Sequence, residues 1–246
     1  MSIAPRWSIL AAAAATVIAV TATGCSSDSG AKKTESKGQS GAPAPSGAAP
    51  SGSGAIPAGP GPQPAYTVQK QPDPGTCHYR YTADKEPLPD AKCSPGATNP
   101  KVTQATLKTT ICRSGYTSDI RPPTNITSRE KTANAASYGY KGAMREAEYD
   151  HLISLQLGGD PNDPRNLWVE PPSPGHKAGA GPNNPKDVVE TKLKNAICSG
   201  KTDLVKAQQA IAKDWTTALS SLGIQDSKDS KDKKASKQEQ KDSDDE

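Results

Sequence analysis

The residues best suited to chemistry lie together in the middle of the chain. Asp150 and His151 are adjacent, Gly158 and Gly159 follow them, and Asn166 stands directly before a Leu-Trp pair. A histidine with an ordinary pKa near ~6.5 can accept a proton at neutral pH. An aspartate beside it can bind a cation. The pair therefore offers a general base next to a metal ligand.

Other common catalytic signatures are missing from the sequence. It contains no G-x-S-x-G elbow, no Walker loop, no dinucleotide-binding glycine motif and no H-E-x-x-H pair. These motifs accompany serine hydrolases, ATPases, dehydrogenases and zinc proteases respectively. Hydrolysis by a histidine and a carboxylate is the chemistry that stays open.

The elements that must position these residues follow from local patterns. Residues 148–155 are β-rich and end at the Gly-Gly pair, and residues 160–166 are dense in Asp, Asn and Pro, which predicts a loop. Residues 167–169 predict a second short strand. Asn184 and Pro185 predict a helix start, with an apolar stripe that ends at Gly200. The segment therefore predicts a ββα unit.

Three further helices are predicted around this unit. Leu107 and Ile111 share one face of a short helix that ends near Cys112. Thr127 and Glu130 form a capping box for a helix that closes at Gly139. The last helix runs from Asp203 to Leu222, and its apolar stripe is expected in the core.

This combination of motifs resembles the HNH endonuclease superfamily, also called ββα-metal or His-Me finger nucleases. The resemblance covers residues 146–197, and more loosely the whole domain looks like secreted actinobacterial proteins of this kind. It implies a metal-dependent endonuclease that hydrolyses nucleic-acid phosphodiester bonds. Asp150 would be a metal ligand, His151 the general base, and Asn166 would tie the loop so that His151 keeps its tautomer and aim.

The resemblance also implies one further ligand for a single divalent ion. Asn184 begins the helix that carries this ligand in the family, whereas His176 lies closer to the usual interval but in a Pro/Gly-rich segment. We favour Asn184 slightly and keep His176 as its competitor. An Asp/Asn site suits Mg²⁺, while a histidine ligand shifts the preference toward Mn²⁺ or another transition metal.

The expected partner is nucleic acid, DNA in preference to RNA. The chain carries a net charge of +4 at pH 7, which is mildly basic and compatible with a polyanion. Four cations that flank the motif are candidate phosphate contacts: Arg145, Arg165, Lys177 and Lys186. The alternative is a catalytically silent cell-envelope lipoprotein that uses the ββα scaffold for binding.

Composition divides the chain into four parts. Only 33% of residues are hydrophobic and Phe is absent, so part of the chain cannot belong to a core. Residues 1–25 form a lipoprotein signal peptide, and residues 26–65 a disordered linker rich in Gly, Ser, Pro and Ala. Residues 66–225 form the nuclease-like domain, and residues 226–246 a disordered charged tail.

The leader indicates export. A short apolar run is followed by Gly24 and Cys25 and then by a Ser-rich stretch, which resembles a bacterial lipobox. Cleavage before Cys25 would leave it as a lipidated first residue and anchor the protein to the cell membrane. The alternative is ordinary cleavage after Ala22 and secretion. Both place the domain outside the cytoplasm.

The cysteines agree with an oxidising compartment. Removing Cys25 leaves Cys77, Cys93, Cys112 and Cys198, an even number that predicts two disulfides. Three pairings are possible and the sequence does not choose among them. We favour Cys77 with Cys93 and Cys112 with Cys198. The expected fold is α+β, with a ββα-metal finger embedded in a small disulfide-stapled domain and flanking helices.

Overall fold

The structure is a computed structural model that describes residues 55–182 and 184–224. The predicted signal peptide with Cys25, most of the predicted linker and the charged tail lie outside the described residues. Within the described ranges, no helix has the length and apolar character needed to cross a membrane.

The described residues form a small α+β domain, as predicted, with two separate two-stranded sheets. Each sheet is antiparallel and pairs strands that follow one another in the chain order of strands. The strands are β1 (Arg80–Tyr81), β2 (Pro87–Leu88), β3 (Glu148–His151) and β4 (Leu167–Glu170). The helices are α1 (Tyr116–Ile120), α2 (Thr124–Ser137), α3 (Pro185–Cys198), α4 (Leu204–Lys213) and α5 (Ala218–Ser221). Short 3-10 turns occupy Gln104–Thr109, Leu155–Leu157, Pro164–Asn166 and Trp215–Thr217.

The main core lies where α3 and α4 pack on the turn that follows β3. Leu193 and Ile197 of α3 and Ile211 of α4 are buried there, as their helical spacing predicts. Leu155 and Leu157 enter the same core from the 3-10 turn. This packing brings the end of β3 close to the beginning of α3.

Strand β3 is shorter than predicted. It stops at His151; the Leu152 N–H still bonds the Asn166 carbonyl, and the chain turns after it. The Ser154 side chain accepts from the Gln156 N–H and begins the 3-10 turn, which ends at Gly158 with a φ of 76°. The predicted end of the strand at residue 155 is therefore wrong. After residue 151 the Ser154 side chain caps a 3-10 turn, and the hydrogen-bond ladder with β4 does not continue.

The predicted start of α2 is also wrong. The helix begins at Thr124, directly after Pro123, so Thr127 lies inside it and caps nothing. Glu130 is fully buried and accepts from the Gln69 N–H instead of closing a capping box. The predicted end is confirmed at Gly139, which has a φ of 59°.

The last predicted helix is broken into two. Helix α4 ends at Lys213, because Asp214 is extended with a φ of −166°. The Asp214 side chain then accepts from the Thr216 N–H and begins a new turn. Trp215 and Ala218 remain in the core, so the predicted apolar stripe is preserved across the break.

The packed domain begins about ten residues before the predicted boundary at residue 66. Ile56 packs against the main core, and the Gly59 N–H donates to the Thr98 carbonyl at 2.8 Å. Residues 55–63, here called the N-terminal strap, are therefore part of the packed domain. Their Gly/Pro-rich composition resembles a linker, but their backbone hydrogen bonds are made with distant residues.

Both favoured disulfides are confirmed. Cys77 bonds Cys93 across 16 residues, and Cys112 bonds Cys198 across 86 residues. The second bridge joins the segment before α1 to the end of α3. A longer closed loop restricts the unfolded chain more strongly, so this bridge should stabilise the fold more.

Replacing Cys112 and Cys198 by serine should lower the free energy of unfolding by about 4–5 kcal/mol. The same change at Cys77 and Cys93 should lower it by about 3 kcal/mol, because the loop that this bridge closes is shorter. Urea denaturation of the two double variants measures both values. A larger loss for the Cys77–Cys93 pair would contradict the loop-length argument.

Candidate active site

A cleft of about 240 Å³ lies beside the end of β3. Strand β3 forms one wall, the first turns of α3 form another, and the end of α1 and the 3-10 turn after β3 complete it. The lining residues with titratable side chains are Arg121, Glu148, Asp150, His151, Asp187, Glu190 and Lys194.

Asp150 and His151 both line this cleft, although neighbours on a flat strand point to opposite faces. In the antiparallel register Asp150 lies opposite Trp168, and His151 lies opposite Leu167. His151 is the last residue of β3, and the chain turns directly after it. The end of the strand thus brings together two side chains that alternation would separate.

The hydrogen bond of His151 defines its tautomer. Its Nε2–H donates to the Pro161 carbonyl at 3.0 Å, and a carbonyl can only accept. Nδ1 is therefore the nitrogen that can take a proton. Burial lowers the pKa of His151 to about 4, so the imidazole is neutral at pH 7 and Nδ1 carries no proton.

Asn166 ties together the two ends of the loop between β3 and β4. Its Oδ1 accepts from the Ile153 N–H at 3.0 Å, and its Nδ2 donates to the carbonyls of Ile153 and Asp160, each at 3.0 Å. Asn166 is fully buried. This geometry agrees with the predicted role, in which Asn166 supports the loop that orients His151.

Gly159 is required at this crossing for a steric reason. A Cβ at this position would lie 1.7 Å from the Ile153 carbonyl oxygen, well inside van der Waals contact. Only glycine lets the two backbone segments approach so closely. The Gly-Gly pair thus contributes to the site through the packing of the loop.

Lys186 joins α3 to the end of β3. Its ammonium donates to Asp150 Oδ2 at 2.7 Å, to the His151 carbonyl at 2.9 Å and to Glu190 Oε1. The residue is only 1% exposed. The prediction that Lys186 contacts a phosphate is therefore corrected, because its charge is buried and already paired.

Carboxylates outnumber cations around this lysine. Burial, together with the nearby charges of Asp150 and Asp187, raises the pKa of Glu148 to about 7. Burial and the Asp150 charge raise the pKa of Glu170, which is fully buried on β4. Burial and the same aspartate raise the pKa of Asp187. The cluster therefore carries negative charge that one ammonium does not neutralise.

The two candidates for the further metal ligand, His176 and Asn184, contact different carboxylates. The His176 Nε2 pairs with Glu146 Oε2 at 2.8 Å, before β3. The Asn184 Nδ2 reaches Glu148 Oε2 at 3.4 Å, and its buried Oδ1 has no hydrogen-bond partner among the described residues. Asn184 also makes no side-chain cap of α3. Neither residue lines the cleft as the structure describes it.

The oxygen atoms of β3 and of the start of α3 are of a kind that suits a hard divalent cation. Carboxylate oxygens and the unpaired Asn184 Oδ1 are typical ligands of Mg²⁺. Within residues 55–182 and 184–224, however, no group of three or more His, Cys, Asp or Glu side chains is arranged to hold a metal ion. An ion in this region would therefore have few protein ligands.

Three other predicted phosphate contacts lie outside the cleft lining. Arg145 pairs with Glu146, Arg165 pairs with Asp163, and Lys177 is in the segment between β4 and α3. The lining cations are instead Arg121 and Lys194. Lys194 follows Glu190 by four residues on α3, so helical spacing could have found it. Arg121 is distant in sequence and only the packing of α1 brings it here.

Comparisons with protein-family models, with curated proteins and with solved structures find no match for this chain. The function must be inferred from the site. Asp150 and His151, which the sequence predicted as site residues, both line the cleft. Sequence reasoning missed Glu148, Asp187 and Glu190, which the fold adds to them.

Replacing Lys186 by methionine should lower the free energy of unfolding by about 3–5 kcal/mol, because it leaves buried carboxylates without their cation. The same substitution at the exposed Lys201 should change stability by less than about 0.5 kcal/mol. Chemical denaturation at pH 7 compares the two variants. Equal stability of both would show that the buried ammonium is not required.

Replacing Glu148 by glutamine should stabilise the protein more at pH 8 than at pH 5. The folded-state pKa is raised from 4.5 to about 7, so the contribution of Glu148 to stability is present below pH 4.5 and is lost as the pH rises through 7. Glutamine does not ionise, so the stability of the variant does not fall in this way as the pH rises. The stability difference from wild type should grow by about 2 kcal/mol between the two pH values.

Denaturation in the presence of EDTA measures this difference without a bound metal. The matched change at the exposed Asp84, to asparagine, is the control for the loss of a surface carboxylate. A flat difference for the Glu148→Gln variant would mean that the pKa of Glu148 is not raised in the folded protein.

Proposed function

We propose that this protein is an extracytoplasmic endonuclease that hydrolyses phosphodiester bonds in the cleft beside β3. The observation that carries the proposal is the state of His151. Its Nε2–H is committed to the Pro161 carbonyl and burial keeps the ring neutral, so Nδ1 is available as a base. A neutral imidazole at neutral pH can deprotonate the attacking water.

A phosphate would bind favourably only on the part of the cleft that is lined by cations. Arg121 and Lys194 line the cleft and would contact the phosphate oxygens. They replace Arg145, Arg165, Lys177 and Lys186 as the proposed phosphate contacts. The surrounding carboxylates would repel the nucleic acid, so additional positive charge is needed at the reacting phosphate.

A divalent cation, Mg²⁺ in preference to Mn²⁺, is the proposed source of that charge. Asp150 and the amide oxygen of Asn184 would hold it, with water completing its coordination. When bound, the ion would stabilise negative charge on the phosphate and on the leaving oxygen. His176 is less suited, because its ring already pairs with Glu146.

The proposed place of action is the cell exterior. Two disulfides in the described domain suggest an oxidising compartment outside the cytoplasm. A lipid anchor at Cys25 would hold the protein at the cell membrane, and secretion is the alternative. The proposed substrate is nucleic acid, DNA in preference to RNA.

Replacing His151 by alanine should reduce cleavage of plasmid DNA by about 10²–10⁴-fold, because the base is lost. The reaction is followed on gels with Mg²⁺, with Mn²⁺ and with EDTA, and EDTA should abolish cleavage by the wild type. His78→Ala is the matched control and should cleave as the wild type does. Equal cleavage by the His151 variant would overturn the assignment of the base.

The alternative function is a catalytically silent envelope lipoprotein that binds a ligand through the same scaffold. One observation favours it: within the described residues Asp150 is already paired with Lys186, and no cluster of three metal ligands is formed. The same assay separates the two functions. Wild-type protein that binds labelled DNA without cutting it in Mg²⁺ or Mn²⁺ would support the silent protein.

A further inference from the structure

Asp160 is a fully buried carboxylate at the beginning of the loop that faces His151. It is 0% exposed, and its two oxygens accept three backbone N–H groups. Oδ1 accepts from Asn162 at 2.9 Å and from Asp163 at 2.8 Å, and Oδ2 accepts from Gly61 at 2.6 Å. A buried carboxylate with three such donors is strongly held in place.

These bonds enclose the peptide that binds His151. Pro161 lies between Asp160 and Asn162, and its carbonyl accepts from the His151 Nε2–H. The Asp160 backbone is fixed as well, because its N–H donates to the Ala97 carbonyl at 2.9 Å and its carbonyl accepts from Asn166. The direction of the Pro161 carbonyl is therefore determined by the Asp160 side chain on one side and by Asn166 on the other.

The third donor connects this loop to the N-terminal strap. Gly59 lies so close to Asp160 that an added Cβ would be 2.3 Å from Oδ2. The strap is held in turn by Thr98, whose N–H donates to the Pro57 carbonyl at 2.9 Å. A segment nearly a hundred residues earlier in the chain thus binds the loop that orients the histidine.

We propose that Asp160 is a positioning residue for His151, and that the N-terminal strap, through Gly61, is part of the support that keeps the imidazole in its Nε2–H tautomer. The effect on catalysis rests on the proposed nuclease function. The effect on the tautomer does not, since it is a property of the folded protein alone.

Asp160→Asn is the sharpest test, because it keeps the shape of the side chain. The amide has a single acceptor oxygen, so in either orientation one side, the Gly61 N–H or the pair of loop N–H groups, faces an NH₂ group and loses its acceptor. Asp163→Asn is the matched control. Asp163 lies in the same loop and is also buried, but its carboxylate accepts from Arg165.

The first measurement is the tautomer of His151 by ¹⁵N NMR of the imidazole nitrogens in the full chain. His151→Ala identifies its signals among those of three histidines. Wild type and Asp163→Asn should show the Nε2–H tautomer, whereas Asp160→Asn should show a mixture or the Nδ1–H form. A folded Asp160→Asn variant with the wild-type tautomer would overturn the proposal, and so would an equal change in the Asp163 control.

The second measurement is cleavage kinetics. Asp160→Asn should lower kcat by about 10–100-fold, as expected for loss of a group that orients a catalytic imidazole, and leave KM within about twofold. A wild type without cleavage would reject the nuclease function but leave the tautomer result in force. An active wild type with unchanged kcat in the variant would reject the positioning role.

A variant of the strap keeps the test valid if Asp160→Asn does not fold. Gly59→Ala leaves Asp160 intact but introduces a Cβ against its carboxylate. It should disturb the same His151 signals and lower kcat in the same direction. A folded Gly59→Ala variant with the wild-type tautomer and wild-type kcat would show that the strap does not support the histidine.

Discussion

The buried ammonium of Lys186 is the interaction on which the site depends. It bonds the side chain of Asp150, the backbone of His151 and the side chain of Glu190, and so joins the end of β3 to the first turn of α3. A buried charge is tolerated only when partners replace its water, and here three oxygens do so. Because the ββα unit is closed at this point, the cleft forms where strand and helix meet.

A second constraint acts on the other side of the histidine. The loop after β3 has no regular secondary structure to hold it, so side chains of Asn166 and Asp160 satisfy its backbone groups. The loop in turn presents the Pro161 carbonyl to His151. Burial lowers the pKa of His151 and keeps the imidazole uncharged, although the bond to the Pro161 carbonyl by itself raises that pKa. The tautomer of His151 is thus a consequence of loop packing, and its protonation state is a consequence of burial.

The two constraints give the cleft an unusual balance of charge. Four carboxylates line it, and Lys186 pairs with Asp150 and Glu190 from within the protein. Burial first, and this crowding second, raise the pKa values of Glu148 and Asp187. Phosphate would approach favourably only past Arg121 and Lys194, or with a cation between it and the carboxylates. The electrostatics therefore restrict how a nucleic acid could bind.

The sequence by itself determined the ββα order, the Asp150 and His151 pair, the apolar stripes of α3 and α4 and the even number of domain cysteines, because these depend on neighbours within a few residues. Only the tertiary structure decided where β3 ends, that Lys186 is buried and that Arg121, Glu190 and the N-terminal strap join the site. The burial of Lys186 and the contact of the strap with Asp160 depend on hydrogen bonds between residues 35 to 99 positions apart. Local patterns cannot show which distant backbone group a carboxylate or an ammonium will meet, since only packing brings them within hydrogen-bond distance.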